Sequence, residues 1–231
     1  MSAEPQIVAL GGGGFSDGDR ALDDYVLALA AASPARVCLL ATATGDSDAY
    51  VVRFYDAFRP PRAAPSHVGL FGTTTRQEVR DRILSADVVY VGGGNTVSLL
   101  AVWRAHGVDR LLREASASGV VLAGVSAGAN CWFEACTTDS FGPIGPLRDG
   151  LALLSGSFCP HYDEPERRSA YRGLVAAGFP PGYAAGGGVA LRFVGRKLHE
   201  AVASSAEAEA FRVEVADGDL RESALSLRRV G

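Results

Sequence analysis

The stretch Val120-Val121-Leu122-Ala123-Gly124-Val125-Ser126-Ala127-Gly128 decides the reading of this chain. A short apolar run leads straight into a Gly-Val-Ser-Ala-Gly turn, and residues 129–134 beyond it are compatible with a helix. An apolar run without polar alternation marks a strand buried on both faces. A strand that turns at once into a helix makes a sharp elbow, and small residues on either side of the serine let the two segments approach. Such an elbow presents the Ser126 hydroxyl at the carboxyl end of a sheet. It also directs the amide of Ala127 toward the place where an oxyanion would form. The plainer alternative is a Gly/Ala-rich turn in which Ser126 only caps a helix. The strand before it and the helix after it favour the nucleophile.

Outward from this elbow, short apolar runs alternate with helix-length amphipathic segments. Residues 6–10, 36–41, 66–71, 87–91 and 120–124 read as strands. Residues 20–33, 46–59, 76–84, 96–105 and 108–117 read as helices, with Leu22, Tyr25, Val26 and Leu29 at helical spacing in the first. Pro60-Pro61 stops the second helix. This β-α-β rhythm predicts a three-layer α/β/α fold with a mostly parallel central sheet and right-handed crossovers. The last third changes character. Residues 189–194, 197–202 and 211–216 look like strands, which predicts a mixed sheet or a small antiparallel addition at the C-terminal end. There is no internal repeat, linker or low-complexity tract, so residues 1–231 are expected to form one domain.

Composition narrows the function. The net charge is −4, from 22 basic and 26 acidic residues, with no basic stripe, which speaks against nucleic acid as the main ligand. No apolar stretch approaches the ~20 residues of a membrane helix. Residues 1–6 lack the basic-then-apolar pattern of a secretion signal. Cys38, Cys131, Cys136 and Cys159 form no Cys-x-x-Cys pair, and Cys38 sits in the apolar run Val37-Cys38-Leu39-Leu40 as a small hydrophobe. A reducing cytoplasm is the expected compartment. Asp46, Asp48 and Asp56 have no histidines at ligand spacing, so no metal is expected. Gly11–Gly14 lacks both the P-loop Lys-Ser/Thr and Gly-x-Gly-x-x-Gly spacing, so no nucleotide cofactor is expected either. For that run, crowded backbone at the sheet end is the stronger reading.

A serine hydroxyl needs a base. The four histidines are His67, His106, His161 and His199. His106 ends a helix beside Gly107, His199 lies in an expected hairpin, and His67 begins a short strand. His161, in Phe158-Cys159-Pro160-His161-Tyr162-Asp163, lies where a strand end turns into a loop. Carboxyl ends of strands are where α/β sheets hold ligands, so elimination leaves His161. The orienting acid stays open among Glu134, Asp139, Asp163 and Glu164, because such residues meet in space and not along the chain. Gly92-Gly93-Gly94-Asn95-Thr96 is a second informative turn, where bare amides between strand and helix can hold an oxyanion or a phosphate.

Four motifs in one order, Ala9-Leu10-Gly11-Gly12-Gly13-Gly14-Phe15, Gly92-Gly93-Gly94-Asn95-Thr96, Gly124-Val125-Ser126-Ala127-Gly128-Ala129 and Pro160-His161-Tyr162, resemble the peptidase E family of serine peptidases, the aspartyl dipeptidases. The resemblance spans nearly the whole chain and implies a fold like that of class I glutamine amidotransferases. By motif it implies Ser126 as nucleophile, His161 as base, and Asp139, in Thr137-Thr138-Asp139, as the acid. It implies an oxyanion hole from the amides of Gly93 or Gly94 and Ala127, with Asn95 counted among the substrate-binding residues. In that family an arginine downstream of the histidine reads the substrate's aspartyl side chain. Arg167 and Arg168 stand in that direction, behind Asp163-Glu164-Pro165-Glu166, and Asp163 or Glu164 would meet the substrate's amino group. The expected enzyme is a monomeric or homodimeric serine exopeptidase for dipeptides or short peptides. The rivals are a cyanophycinase-like hydrolase of β-aspartyl linkages and a non-catalytic small-ligand module on the same scaffold.

Overall fold

The computed structural model describes residues 4–231. Its first half follows the expected alternation: β1 (Gln6–Leu10), α1 (Arg20–Leu27), β2 (Ala35–Leu40), α2 (Asp48–Ala57), β3 (Ala63–Val68), α3 (Arg76–Leu84), β4 (Val88–Val91), α4 (Thr96–His106), α5 (Val108–Ala117) and β5 (Val121–Val125). Local chemistry sets several boundaries. Thr75 and Glu78 close a reciprocal capping box at the start of α3. Asn95 caps α4 through its side-chain oxygen, 2.8 Å from the Ser98 amide. Gly107, in the left-handed region, separates α4 from α5. α1 is shorter than residues 20–33 suggested: after Leu27 the chain tightens into turns, with the Leu29 and Ala30 amides bonded to Val26 and Leu27, while both side chains still pack against the core.

β1 to β5 form the parallel heart of an eight-stranded sheet in the order β14-β11-β10-β1-β5-β4-β2-β3, in which β10 (Val189–Val194), β11 (Lys197–Ala203) and β14 (Arg228–Arg229) extend one edge. β10 pairs antiparallel to β1, so the sheet is mixed, as the C-terminal pattern predicted. Alternate residues of each strand feed opposite faces. Val8, Leu10, Val37, Leu39, Tyr90 and Val125 pack against α1 and α2, with Leu22, Val26, Phe54 and Phe58. Ile7, Ala9, Cys38, Leu40, Val89 and Val91 pack on the other side with Leu99, Trp103 and Leu112 of α4 and α5.

Beyond β5 the chain makes one helical turn, α6 (Ala127–Asn130), and then β6 (Phe133–Thr138), where a longer helix over 129–134 was expected. Trp132 and Phe133 are fully buried, and this segment is absorbed into a second sheet. That sheet adds β7 (Gly145–Leu147), β8 (Leu154–Pro160), β9 (Gly182–Ala185), β12 (Ala210–Ala216) and β13 (Asp219–Ala224), in the order β13-β12-β9-β8-β6-β7. It is larger than a small antiparallel addition, and its centre, β6-β8-β9, is parallel. α7 (Pro165–Ala176) covers its outer face through Tyr171 and Val175. Phe133, Leu154, Phe158 and Ala210 join the same apolar cluster as Ile7 and Val89, so the two sheets share a core.

The register decides where a site can lie. Leu10 stands opposite Val125, and Gly124 opposite Val91, so β1, β5 and β4 end level with one another. Pro160 at the end of β8 pairs with Ala185 at the end of β9. The amide of His161 donates to the carbonyl of Gly11 at 3.0 Å and ties the second sheet's strand end to the first's.

Candidate active site

Ser126 occupies the elbow with φ 55° and ψ −112°, a conformation that costs a non-glycine residue energy and persists only where its surroundings enforce it. They do. Its amide donates to the Leu10 carbonyl at 3.0 Å, and its own carbonyl accepts from the Ala129 and Asn130 amides at 2.9 Å. A Cβ on Gly124 would run into the Gly128 carbonyl, and a Cβ on Gly128 into the Val91 carbonyl. The two glycines of the motif therefore let β5, α6 and β4 close on the serine. Ala127 is the first residue of α6, so its amide has no partner within the helix.

His161 also has positive φ, 51°. Its Nε2 lies 2.9 Å from Ser126 Oγ. The ring rests over Gly12, where a Cβ would meet Nδ1 and Cε1 at 3.1 and 3.2 Å. Burial lowers the His161 pKa below the ordinary value. The Arg167 charge adds to this, and Glu164, Asp163 and Asp17 oppose it. At neutral pH the ring is therefore an acceptor ready to take a proton.

No carboxylate among the described residues hydrogen-bonds His161 Nδ1. Asp139, the expected orienting acid, is turned to Arg167 instead, with Oδ2 2.7 Å from Nη2. Arg167 Nε donates to Glu164 at 2.8 Å, so one guanidinium holds two of the four acidic candidates. Asp163 accepts from the Gly187 amide at 2.9 Å, and Glu134 accepts from the Gly156 amide at 3.0 Å. Arg168 faces away: it pairs with Glu222 and lies over the rings of Tyr162 and Phe211. Its expected role as a substrate clamp is corrected on that ground. The other histidines lie elsewhere. His67 contacts the Tyr55 hydroxyl at 3.0 Å, and His106 and His199 are exposed.

The Gly92–Gly94 turn lies beside the serine, with the Cβ direction of Gly93 aimed at Ser126 Cβ, 3.5 Å away. Its amides are not equivalent. Gly93 N–H donates to the Tyr50 hydroxyl at 3.0 Å, and that hydroxyl also meets Ser16 Oγ at 2.6 Å. Of the two glycines expected to donate, Gly93 is thus engaged, whereas the Gly94 amide has no hydrogen-bond partner among the described residues. Asn95 is engaged as well, as the α4 cap and through Nδ2 to the Ser140 carbonyl at 3.2 Å. Its expected substrate role gives way to a structural one. Tyr50 escaped the sequence reading because a single aromatic on a helix resembles core. Its ring does pack on Phe15, and only the hydroxyl reaches the site. Behind Phe15, the buried Asp23 accepts from the Phe15 amide and from the Tyr90 hydroxyl, and burial pushes its carboxyl up to about 7. Among the described residues, no group of three or more His, Cys, Asp or Glu stands ready to hold a metal, and no helix is long and apolar enough to cross a membrane.

Residues 7–201 match peptidase family S51. The chain belongs to that family. As an S51 member it is a serine-type peptidase with the peptidase E type of α/β fold. It is 46% identical over 230 residues to "Uncharacterized peptidase YgaJ" of Bacillus subtilis (strain 168), covering 98% of this chain and 99% of that protein. It is 30% identical over 141 residues to "Peptidase E" of Streptomyces coelicolor, covering 60% of this chain and 56% of that one. The crystal structure of a peptidase from an acI-B1 Actinobacterium superposes with a TM-score of 0.74 at 14% identity, over 99% of this chain and 96% of the other, a likeness of fold alone.

Proposed function

We propose that this S51 peptidase is a cytoplasmic serine exopeptidase acting on dipeptides or short peptides, with Ser126 as nucleophile and His161 as general base. The observation that carries the reading is the 2.9 Å contact between Ser126 Oγ and His161 Nε2 on a strained elbow. Ser126 Oγ attacks the peptide carbonyl carbon as its proton passes to Nε2. The carbonyl oxygen becomes an oxyanion beside the amides of Gly94 and Ala127. Collapse breaks the C–N bond, and His161 returns the proton to the leaving amine. Water, deprotonated by His161, then hydrolyses the acyl-enzyme. His161 is oriented by its backbone bond to Gly11 and its seat on Gly12, and Ser126 and His161 act as a pair in the resting enzyme. Four free, buried cysteines support the reducing compartment, and the core shared by both sheets supports residues 1–231 as one hydrolase domain.

A fluorophosphonate probe tests the class. The enzyme should label at Ser126, mapped by peptide mass spectrometry, and Ser126→Ala should abolish both labelling and peptide hydrolysis while folding normally. A folded wild-type protein that does not label would identify a non-catalytic scaffold. Labelling combined with hydrolysis of β-aspartyl linkages alone would identify the cyanophycinase-like chemistry.

A further inference from the structure

Among the described residues, Asp23 on α1 is the only Asp, Glu, His, Lys or Arg that is fully buried. Its Oδ1 accepts from the Phe15 amide and from the Tyr90 hydroxyl, each at 3.2 Å, and its Oδ2 has no hydrogen-bond partner. Removal from water pushes the carboxyl up to about 7, against the pull of the Arg62 charge. A buried acid with an unbonded oxygen costs stability, and an apolar side chain of the same shape would fill the space without that cost. Packing alone therefore does not account for Asp23. What it supplies is an acceptor for the Phe15 N–H, which has no other partner among the described residues and would otherwise be buried and unpaired.

That N–H belongs to the turn that reaches the nucleophile. Phe15 lies in the single helical turn Gly14–Ser16 after β1. Gly14 rests on the same acid: a Cβ there would run into the Tyr90 hydroxyl and lie 3.1 Å from Asp23 Oδ1. The Phe15 ring meets the Tyr50, Phe54 and Tyr90 rings edge-on, with centroids 5.1, 5.4 and 5.2 Å away. Ser16, next in the chain, is held twice. Its carbonyl accepts from Arg53 Nη1 at 3.0 Å, and its Oγ meets the Tyr50 hydroxyl at 2.6 Å. The Tyr50 hydroxyl accepts from the Gly93 amide at 3.0 Å, and the Tyr50 ring lies against Gly92, where a Cβ would meet it at 2.5 Å. Gly93 backs onto Ser126, and Gly94, with its unpaired amide, follows. Asp23 thus stands at the root of a line of contacts through Phe15, Ser16, Tyr50 and Gly93 that ends at Ser126.

We propose that Asp23 is a positioning residue for acyl transfer: by holding the Phe15 amide it sets Ser16 and Tyr50, and through them the Gly92–Gly94 turn beside the nucleophile. This role rests on Ser126 being the nucleophile, as proposed above. Asp23 acts as an acceptor and not as a charge, since Oδ1 makes both bonds whether or not Oδ2 carries a proton. The turn it sets matters when the oxyanion forms, so its loss falls on kcat and not on KM.

Two readouts test the role, with melting temperature as the control for folding: turnover of Ala-Leu, and the rate of fluorophosphonate labelling at Ser126, which needs no peptide. Asp23→Asn keeps an acceptor and should retain kcat and labelling rate within about twofold, even where its buried N–H groups lower the melting temperature. Asp23→Leu removes the acceptor, and both rates should fall about tenfold with KM nearly unchanged. Ser16→Ala, at a half-buried position, cuts the line further on and should lose a similar factor. Combining either change with Tyr50→Phe should be no worse than the larger single loss, because links of one network do not add. Equal losses in Asp23→Asn and Asp23→Leu would show that charge is what counts. Losses that add to that of Tyr50→Phe would show another route, and unchanged rates in folded Asp23→Leu would leave a core acid without a role at the site. Each of these overturns the proposal while leaving Ser126 as nucleophile. If Asp23→Leu does not fold, Ser16→Ala with and without Tyr50→Phe decides, and unchanged or additive rates there break the line. Wild-type protein that does not label would instead remove the nucleophile itself, and the role of Asp23 with it.

Discussion

Ser126 and His161 meet at 2.9 Å, yet they are held there by different means. The serine is fixed by main chain. Its amide and carbonyl are both bonded, and Gly124 and Gly128 let neighbouring backbone press against it from two sides. The histidine's amide and carbonyl are bonded too, to the Gly11 carbonyl and the Glu164 amide, but its ring rests only on a glycine floor and its far nitrogen meets no carboxylate. The charges around it sit on side chains of a loop and a helix start and are occupied with one another. Backbone packing makes the nucleophile's position insensitive to side-chain changes nearby. The base is ringed by exchangeable ion pairs that act on it only through their charge, so its chemistry can be tuned by single substitutions.

The largest effect breaks both sides at once. Ser126→Ala and His161→Ala should each lower kcat/KM by at least about a thousandfold, and the double variant should be no worse than either, because residues that act as one unit do not lose activity additively. Additive losses would mean that His161 serves another purpose. Tyr50→Phe probes the serine side more gently. Removing the hydroxyl leaves the Gly93 amide without its brace next to Ser126. We expect kcat to fall about tenfold with KM nearly unchanged, less than the 10²–10³-fold loss of an oxyanion donor itself. A rise in KM of the same size would place Tyr50 against the substrate, and an unchanged kcat would show that the turn holds without it.

Asp139→Asn sharpens the contrast on the histidine side. An acid that orients a catalytic imidazole is worth about 10⁴-fold in the worked serine-protease case. Asp139 is bonded to Arg167 and not to His161, so the expected change in kcat for a neutral dipeptide is only about threefold, far from that figure. A loss of several orders of magnitude would show that Asp139 swings to Nδ1 when substrate binds.

These differences explain what the sequence could tell. The elbow was legible because strand, turn and helix are contiguous and each glycine answers to a local crowding. α3 forms where residues 76–84 were read as a helix, opened by a local capping box of Thr75 and Glu78. His161 was legible because strand ends gather at one rim of the sheets. The pairing of Asp139 with Arg167 was not legible, because four carboxylates and two arginines compete for partners and only three-dimensional placement decides among them. β6 was hidden because Cys131-Trp132-Phe133 is apolar enough for a helix or a strand, and the second sheet chose. Tyr50 reaches the site by one hydroxyl across 43 residues, a distance over which no sequence pattern speaks.

The smallest effect follows the charge around His161. Burial depresses its pKa first, and Arg167 adds to that, while Glu164, Asp163 and Asp17 pull the other way. The reaction needs neutral His161, so activity is present above its pKa and falls as pH drops through it. The acid limb of kcat/KM should therefore lie below the ordinary histidine value of 6.5. Arg167→Ala removes a cation and leaves Asp139 and Glu164 uncompensated, so both changes favour imidazolium and the limb should move up in pH. Glu164→Gln does the reverse, since it deletes an anion and leaves Arg167 less neutralised, and the limb should move down. Activity of both variants on a neutral dipeptide should approach wild type at pH 8, where His161 is unprotonated in all three proteins. Profiles of kcat/KM against pH in the free enzyme read this directly, because they report the base before substrate binds. Limbs that move together, or not at all, would show that the ion-paired trio is electrically closed toward His161, and its influence would then fall on the substrate alone.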